Sequence, residues 1–533
     1  MKTCNVSGIG LFDEVNVYLP PKKYSLRIAL VYPSTYEASI TNMFTHIAYY
    51  YLTENLNALI DRFTLDNPDR GAITGLSLKD FDVALVSIGF ELDIFNLVEI
   101  LVRNGINIRK QGLKPLIIIG GLPVIANPLP YLPMCDAAFI GEGEILLATI
   151  KDLFNEYGKE IFKEKKFDEL IHELYERTRS IYSKTLLSNY AEIKIRKSIV
   201  KDYNRVEQPT CLIRSKIKSP IYGDGYYIEI SRGCKWLCAF CLEAFTTYPP
   251  RYRNEELILN LIEGGVKCVR SNRVVFYSLS FFDHPKADDI LKHLVRNNIK
   301  FSVPSLRYTT LNERRIDIIA LGGQRTITIA PETAEEHASC LIRKKLERSL
   351  LRKLISYIIS QGLNVKLYFM LGIPGESPNA GKSIAKLLRE IISSTRLTRK
   401  EQIRMTINPL IPKPQTPTQY IPLMSKEDLK RKIKDLKTNV DTTKIRIDVY
   451  DWNYAYTQAL IALGNECIGK LVIDVVLNRE GLARFRKYAQ DKLNYEKFIF
   501  RIKEPNEELP WDNIDLGLKH IVKSLGEKLI RAL

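Results

Sequence analysis

Three cysteines stand within eight residues of one another, Cys234, Cys238 and Cys241, in the stretch Arg232-Gly-Cys-Lys-Trp-Leu-Cys-Ala-Phe-Cys241. Thiolates with this C-x3-C-x2-C spacing form a soft ligand set able to hold three irons of an iron–sulfur cube, leaving the fourth corner open to an outside chelator. Zinc is the competing reading: a closed zinc site wants a fourth Cys or His nearby, and the next in sequence are Cys268 and His284. The other six cysteines, Cys4, Cys135, Cys211, Cys268, Cys340 and Cys467, are scattered and not spaced as a disulfide framework. The expectation is therefore a metal-binding loop in a reducing compartment, without disulfides.

The loop must be held by the elements around it. It follows the apolar run Tyr226–Ser231, the first of six predicted strands at 226–231, 273–279, 299–303, 325–330, 364–371 and 403–408, with helices between most of them. Six such units form a partial (β/α) barrel, too few for the closed eight-stranded form. Before it, buried apolar runs at 27–32, 83–88, 116–119 and 137–140 alternate with helical spacing. That alternation predicts a doubly wound, flavodoxin-like parallel sheet whose ligand crevice lies at the carboxyl ends of its strands. The loops Pro33–Tyr36, Gly89–Glu91, Gly120–Pro123 and Gly141–Glu144 lie on that edge. The fold class is α/β, with domains expected at 1–155, a connector at 156–225, the barrel at 226–440 and a small α/β domain at 441–533.

Composition agrees with a globular chain. Of 533 residues, 45% are hydrophobic and 26% charged, which excludes a disordered, collagen-like or simple coiled-coil chain. No apolar run reaches the 18 or so residues of a membrane span, and the first thirty residues lack a signal-peptide core, so the expectation is a soluble, cytoplasmic protein. The net charge of +17 points to an anionic partner: nucleic acid, phospholipid head group or nucleotide.

The cysteine spacing, with Phe240 before the last cysteine and after the first barrel strand, resembles the radical S-adenosylmethionine (SAM) superfamily. The resemblance implies one [4Fe–4S] cluster on Cys234, Cys238 and Cys241, SAM chelated by the open iron, and a 5′-deoxyadenosyl radical that abstracts a substrate hydrogen. Leu367-Tyr-Phe-Met-Leu-Gly-Ile-Pro-Gly-Glu376 resembles the family's G-x-I/L-P-G-E segment beside the adenine, which implies SAM-binding roles for Gly372, Ile373, Gly375 and Glu376. By the same resemblance Glu332 supplies a polar group toward SAM, Lys344 meets the SAM carboxylate, and Ser302, Ser305 and Arg307 lie near the ribose. The family's G-G-E after the second strand is replaced by Tyr277-Ser-Leu-Ser-Phe-Phe-Asp-His284.

Tyr248-Pro-Pro-Arg-Tyr-Arg253 and Asn408-Pro-Leu-Ile-Pro-Lys-Pro-Gln-Thr-Pro417 resemble the subgroup with an amino-terminal cobalamin-binding-like domain, which includes archaeal enzymes that close rings in tetraether lipids. The D-x-H-x-x-G motif that ligates cobalt is missing, and the only histidine before residue 155, His46, has apolar helical neighbours that suit a core or cap role. Cobalamin would then be bound without a protein histidine, or the domain has lost it. The resemblance also implies a reductant such as ferredoxin or flavodoxin, and an anionic lipid surface as a partner at the inner membrane face. Tetraether C–C bond formation is the leading expectation. A cobalamin-dependent C-methyltransferase, an RNA-modifying enzyme (without any identifiable RNA-binding motif) and a non-catalytic SAM or cobalamin sensor are the alternatives.

Overall fold

The computed structural model describes residues 4–5, 8–108, 112–189, 193–397 and 401–533, with side chains from residue 8 onward. Its first sheet has six strands: β1 (Leu26–Val31), β2 (Ala58–Phe63), β3 (Val83–Ser87), β4 (Leu116–Gly120), β5 (Ala137–Phe139) and β6 (Ile181–Tyr182), in the order 2-1-3-4-5-6. All pair in parallel except β6, which runs antiparallel to β5. The order reverses between β1 and β3, so a crevice opens there at the carboxyl ends of the strands.

Four of these strands are continuous apolar runs. β2 is not, because Asp61 and Arg62 interrupt it, yet every residue of β2 is buried. Asp61 accepts hydrogen bonds from the backbone N–H groups of Ile73 (3.0 Å) and Thr74 (2.8 Å), and Arg62 is paired with the buried Glu14 and stacks over Tyr49 at 4.8 Å. Tertiary partners answer both charges within the strand interior, although Arg62 Nε and Nη1 are buried without hydrogen-bond partners.

A second parallel series follows: β7 (Tyr226–Glu229), β8 (Arg273–Tyr277) and β9 (Lys300–Ser302) form one sheet, and β10 (Thr326–Glu332), β11 (Asn364–Leu371), β12 (Ile403–Pro409) and β13 (Ile445–Val449) form another. A single parallel bridge, Leu306 to Ile329, joins them. The first six are the strands read from the sequence. β13, expected in the C-terminal tail, instead pairs in parallel with β12 from Ile403–Ile445 to Ile407–Val449. As an edge strand it is buried on one side only, so it lacks the apolar run of its neighbours.

The connector touches both ends of the chain: Arg214–Ser215 pairs with Glu14–Val15, and Ile195–Arg196 with Ile514–Asp515. It also carries a correction. Cys211 and Cys268 form a disulfide, their Cα atoms 5.3 Å apart across 57 residues of sequence. Sequence spacing could not reveal it, because the two cysteines meet only where the connector runs along the helix Glu255–Val269. Cys135 is buried, Cys340 and Cys467 are exposed, and the side chain of Cys4 lies outside the described residues.

Closing so long a loop restricts the unfolded chain. Cys268→Ser is expected to lower unfolding stability by about 2–4 kcal/mol. Thermal melts with and without reductant check this: reductant should lower the wild-type midpoint and leave that of Cys268→Ser unchanged.

Candidate active site

The cysteine loop leaves the carboxyl end of β7 and is clamped at its base by antiparallel pairing of Ser231–Arg232 with Arg251–Tyr252. Tight turns fold it back. Gly233 has φ +85°, where a Cβ would come within 2.4 Å of the Pro249 carbonyl oxygen. Leu237 has φ +44°, a conformation that a branched side chain adopts only when its surroundings impose it. The Ala239 N–H donates to the Ile342 carbonyl (3.1 Å) and the Cys241 N–H to the Cys238 carbonyl (2.9 Å).

Cys238 is 8% exposed and its neighbours Cys234 and Cys241 are half-buried. Burial pushes the thiols of Cys234 and Cys241 up, so a cation must replace the proton before either is a thiolate. The Arg307 guanidinium lies 3.7 Å from Cys238 Sγ and 3.9 Å from the Trp236 ring centroid. Trp236 Nε1 donates to Asp283 (2.6 Å), and Lys235 pairs with the same carboxylate (3.1 Å). Asp283, from the segment that replaces G-G-E, thus ties down the cysteine loop.

Among the described residues, no three His, Cys, Asp or Glu side chains converge as ligands of a single ion; three thiolates holding different corners of a cube need not converge so tightly. The fourth ligands considered for zinc are both engaged. Cys268 is in the disulfide, and the ring nitrogens of His284 bond the Arg253 carbonyl (2.8 Å) and the Lys286 N–H (3.1 Å). The donor set fits an iron–sulfur cube better than a closed zinc site.

Other residues read from the sequence meet beside this loop. At the end of β10 the register shifts and Glu332 takes φ +69°, aiming its carboxylate at Lys344 Nζ, 2.6 Å away. The side chains of this pair are only 8% and 13% exposed, and Lys344 lies 5.9 Å from the Phe240 ring. The turn after β11 packs against the helix Glu336–Leu341: a Cβ on Gly375 (φ +75°) would sit 2.6 Å from Leu341 Cδ1. Ile373 joins Ala239, Ile342, Met370 and Leu410 in a small apolar cluster separate from the main core. Glu376 folds back onto its own turn, accepting the Gly372 N–H at 2.7 Å and pairing with buried Lys432, while its Oε2 is buried without a partner.

Ser302 is not among them. Its hydroxyl accepts from Arg273 (2.6 Å), at the opposite end of β8 from the cysteine loop, and Ser305 is exposed. Lys432, Asp283 and Trp236 are contributors that sequence reasoning missed.

The carboxyl edge of the first sheet borders a cavity of about 620 Å³, which Arg232 and Glu243, before and after the cysteine loop in sequence, also line. Its wall includes Tyr32, Gly120, Gly121 and Gly141–Glu144 from the first sheet and Arg232, Glu243 and Tyr277 from the second series. Arg232 bridges the two parts, bonding Glu229 (2.8 Å) and Glu144 (2.8 Å), while Arg251 grips Glu142 (2.6 Å). His46 is outside the wall and fully buried: Nε2 meets the Ile40 carbonyl (2.9 Å), Nδ1 accepts the Ile213 N–H (3.2 Å), and burial pushes it down to about 4. Its core role is as expected.

Comparison with known proteins follows this geometry. Residues 45–182 match the model for the N-terminal region of radical SAM proteins, and residues 228–388 match that of the Radical SAM superfamily. An uncharacterized protein of Methanocaldococcus jannaschii is 28% identical over 494 residues, 92% of this chain and 98% of that protein. The radical SAM methyltransferase TsrM of Kitasatospora setae, solved with cobalamin and a [4Fe–4S] cluster, superposes at a TM-score of 0.54 with 10% identity, covering 88% of this chain and 100% of that one. The cobalamin-dependent radical SAM enzyme OxsB, with aqua-cobalamin and SAM bound, gives 0.50 with 14% identity, covering 95% and 80%. At these identities the likeness is one of fold. Motif and family match agree: the chain belongs to the radical SAM superfamily, enzymes of a [4Fe–4S] cluster and SAM, and its fold is like that of two cobalamin-dependent members.

Proposed function

We propose that this enzyme uses a cluster on Cys234, Cys238 and Cys241, together with SAM, to remove hydrogen from an unactivated carbon. The proposed substrate is a lipid alkyl chain, in C–C bond formation within an archaeal tetraether. The observation that carries the radical step is the meeting of the cysteine loop with Arg307 and the Lys344–Glu332 pair at the carboxyl ends of β7 and β10. A reduced cluster, when bound, supplies the electron that cleaves the SAM sulfonium bond. Lys344 would hold the SAM carboxylate, Glu332 would fix Lys344, and the turn Gly372–Glu376 would flank the adenine, where two glycines allow close backbone approach. The apolar cluster around Ile373 keeps water from that side. Ser305 and Arg307 stay on the proposed ribose side; Ser302 does not. We read the two sheets β7–β9 and β10–β13 as one open barrel.

Support for an apolar substrate comes from the connector. Ile217, Ile221 and Tyr222 are 63%, 60% and 56% exposed, and the latter two line the mouth of the cavity. Lys216 and Lys218 flank Ile217 but are answered by Asp13 and Glu37; the net charge of +17 is what suits delivery from an anionic membrane face. Among the described residues no helix is long and apolar enough to cross a membrane. A second reading, cobalamin-dependent C-methylation, is favoured by one observation: a cavity between the sheet edge and the helix that follows the cysteine loop, with no histidine among the described residues of its wall, suits a corrinoid bound without a protein imidazole.

Replacing Cys234, Cys238 or Cys241 singly by Ala should remove the iron, the brown chromophore and SAM cleavage together, whereas Ala at Cys135, Cys340 or Cys467 should spare all three. Iron assay and 5′-deoxyadenosine quantification check this. Glu376→Gln and Lys432→Met loosen the same turn, so each should weaken SAM binding roughly tenfold at unchanged iron content. The double variant should be no worse than either single one; additive losses in equilibrium SAM binding would contradict the shared role. Reduced, reconstituted enzyme given SAM and tetraether should form rings. Methyl label from SAM in the product, with cobalt copurifying, would favour the second reading, and SAM cleavage with unchanged lipid would contradict the lipid substrate.

A further inference from the structure

The turn after β11 is fastened from a second direction. Glu335 stands three residues beyond the end of β10 and immediately before the helix Glu336–Leu341. A side chain at that position commonly accepts from the free N–H groups of its own helix. Glu335 makes no such bond. It reaches instead to the residue that follows the turn, accepting from the Ser377 N–H and from the hydroxyls of Ser377 and Ser383, each at 2.7 Å. Burial works against a charge there, but these bonds, with the nearby charge of Lys432, hold the Glu335 carboxyl below its usual range. It is therefore ionised at neutral pH and accepts as a carboxylate.

Ser377 passes the contact on. Its hydroxyl accepts the Asn379 N–H (3.2 Å) and its carbonyl the Ala380 N–H (3.0 Å), where the helix Ala380–Ser393 begins. One residue earlier, Glu376 is paired with Lys432. The turn thus has two separate anchors, Lys432 for Glu376 and Glu335 for Ser377. Three residues before Glu335, Glu332 holds Lys344. The end of β10 therefore grips both Lys344 and the turn, the two places read above as meeting the carboxylate of SAM and its adenine.

We infer that Glu335 is a positioning residue: through Ser377 and Ser383 it keeps the turn Gly372–Glu376 in register with Lys344, so that the site selects a ligand with an amino-acid carboxylate at one end and adenosine at the other. This rests on the SAM reading of that turn and deepens it. Glu335 acts through the turn, and its loss is felt at the adenosine end of the ligand alone.

Equilibrium dialysis of labelled SAM with the reconstituted, unreduced enzyme, in which SAM stays intact, tests the inference, with S-methylmethionine as a competing probe. That sulfonium has the amino-acid end of SAM and a methyl group where SAM has adenosyl. Glu335→Ala should bind SAM about tenfold more weakly, the worth of one charge-assisted hydrogen bond, at unchanged iron content and unchanged affinity for S-methylmethionine. Ser383→Ala removes one of the three bonds and should lose about threefold for SAM, with no further loss when added to Glu335→Ala. Unchanged SAM affinity in iron-replete Glu335→Ala would overturn the inference. Equal losses for SAM and S-methylmethionine would overturn it too, as the mark of a merely structural role. Should Glu335→Ala fail to fold, Ser383→Ala alone decides by the same two affinities. A wild-type enzyme that binds S-methylmethionine as tightly as SAM would remove the SAM reading of the turn first, and this inference with it.

Discussion

Buried thiols release their protons only to a cation, and the rest of this structure is arranged around that constraint. Cys234, Cys238 and Cys241 are held in one loop where burial favours the neutral thiol of Cys234 and Cys241, so a bound cation is what stabilises those two as thiolates. The loop is prepared for the metal before it arrives. A short antiparallel pair clamps its base, Gly233 and Leu237 take left-handed conformations, and Ile342 and Asp283 fasten its far side. Arg307 then stands beside Cys238, its guanidinium 3.7 Å from Sγ.

The same preparation extends to the surroundings. Parallel strands bring their carboxyl ends to one side, so residues distant in sequence meet there: Glu332 with Lys344, and Glu376 with Lys432, 56 residues away. The two parts of the chain face each other by these edges, joined through Arg232 and Arg251 to the glutamates of the Gly141–Glu144 loop. Such desolvated ion pairs contribute little net stability but specify one docking geometry, because any other leaves a buried charge unmatched. The cavity between the parts therefore has a defined shape and polarity.

What was legible in the sequence follows from the range of each interaction. Strands with unbroken apolar runs, such as β3 and β4, declare themselves because burial on both faces leaves no alternation to misread. β2 was hidden by Asp61 and Arg62, whose partners are set by tertiary contact, whereas β13 was legible as a strand and only its pairing with β12 was not. The cysteine triplet is local and so was readable; the Cys211–Cys268 pairing is not local and was not. Lys432 sits in a helix with eight other basic and acidic residues and nothing to mark it out. Ser302 was assigned by position alone, and Arg273 had a stronger claim on its hydroxyl.

The central claim is that three protein thiolates leave one corner of a cube open to SAM. Mössbauer spectroscopy of the enzyme reconstituted with iron-57, recorded before and after addition of SAM, tests it most directly. A single iron of the cluster should change its isomer shift when SAM is added, the other three keeping theirs. A cluster whose irons all ignore SAM, or a metal enclosed by four protein donors, would contradict the account.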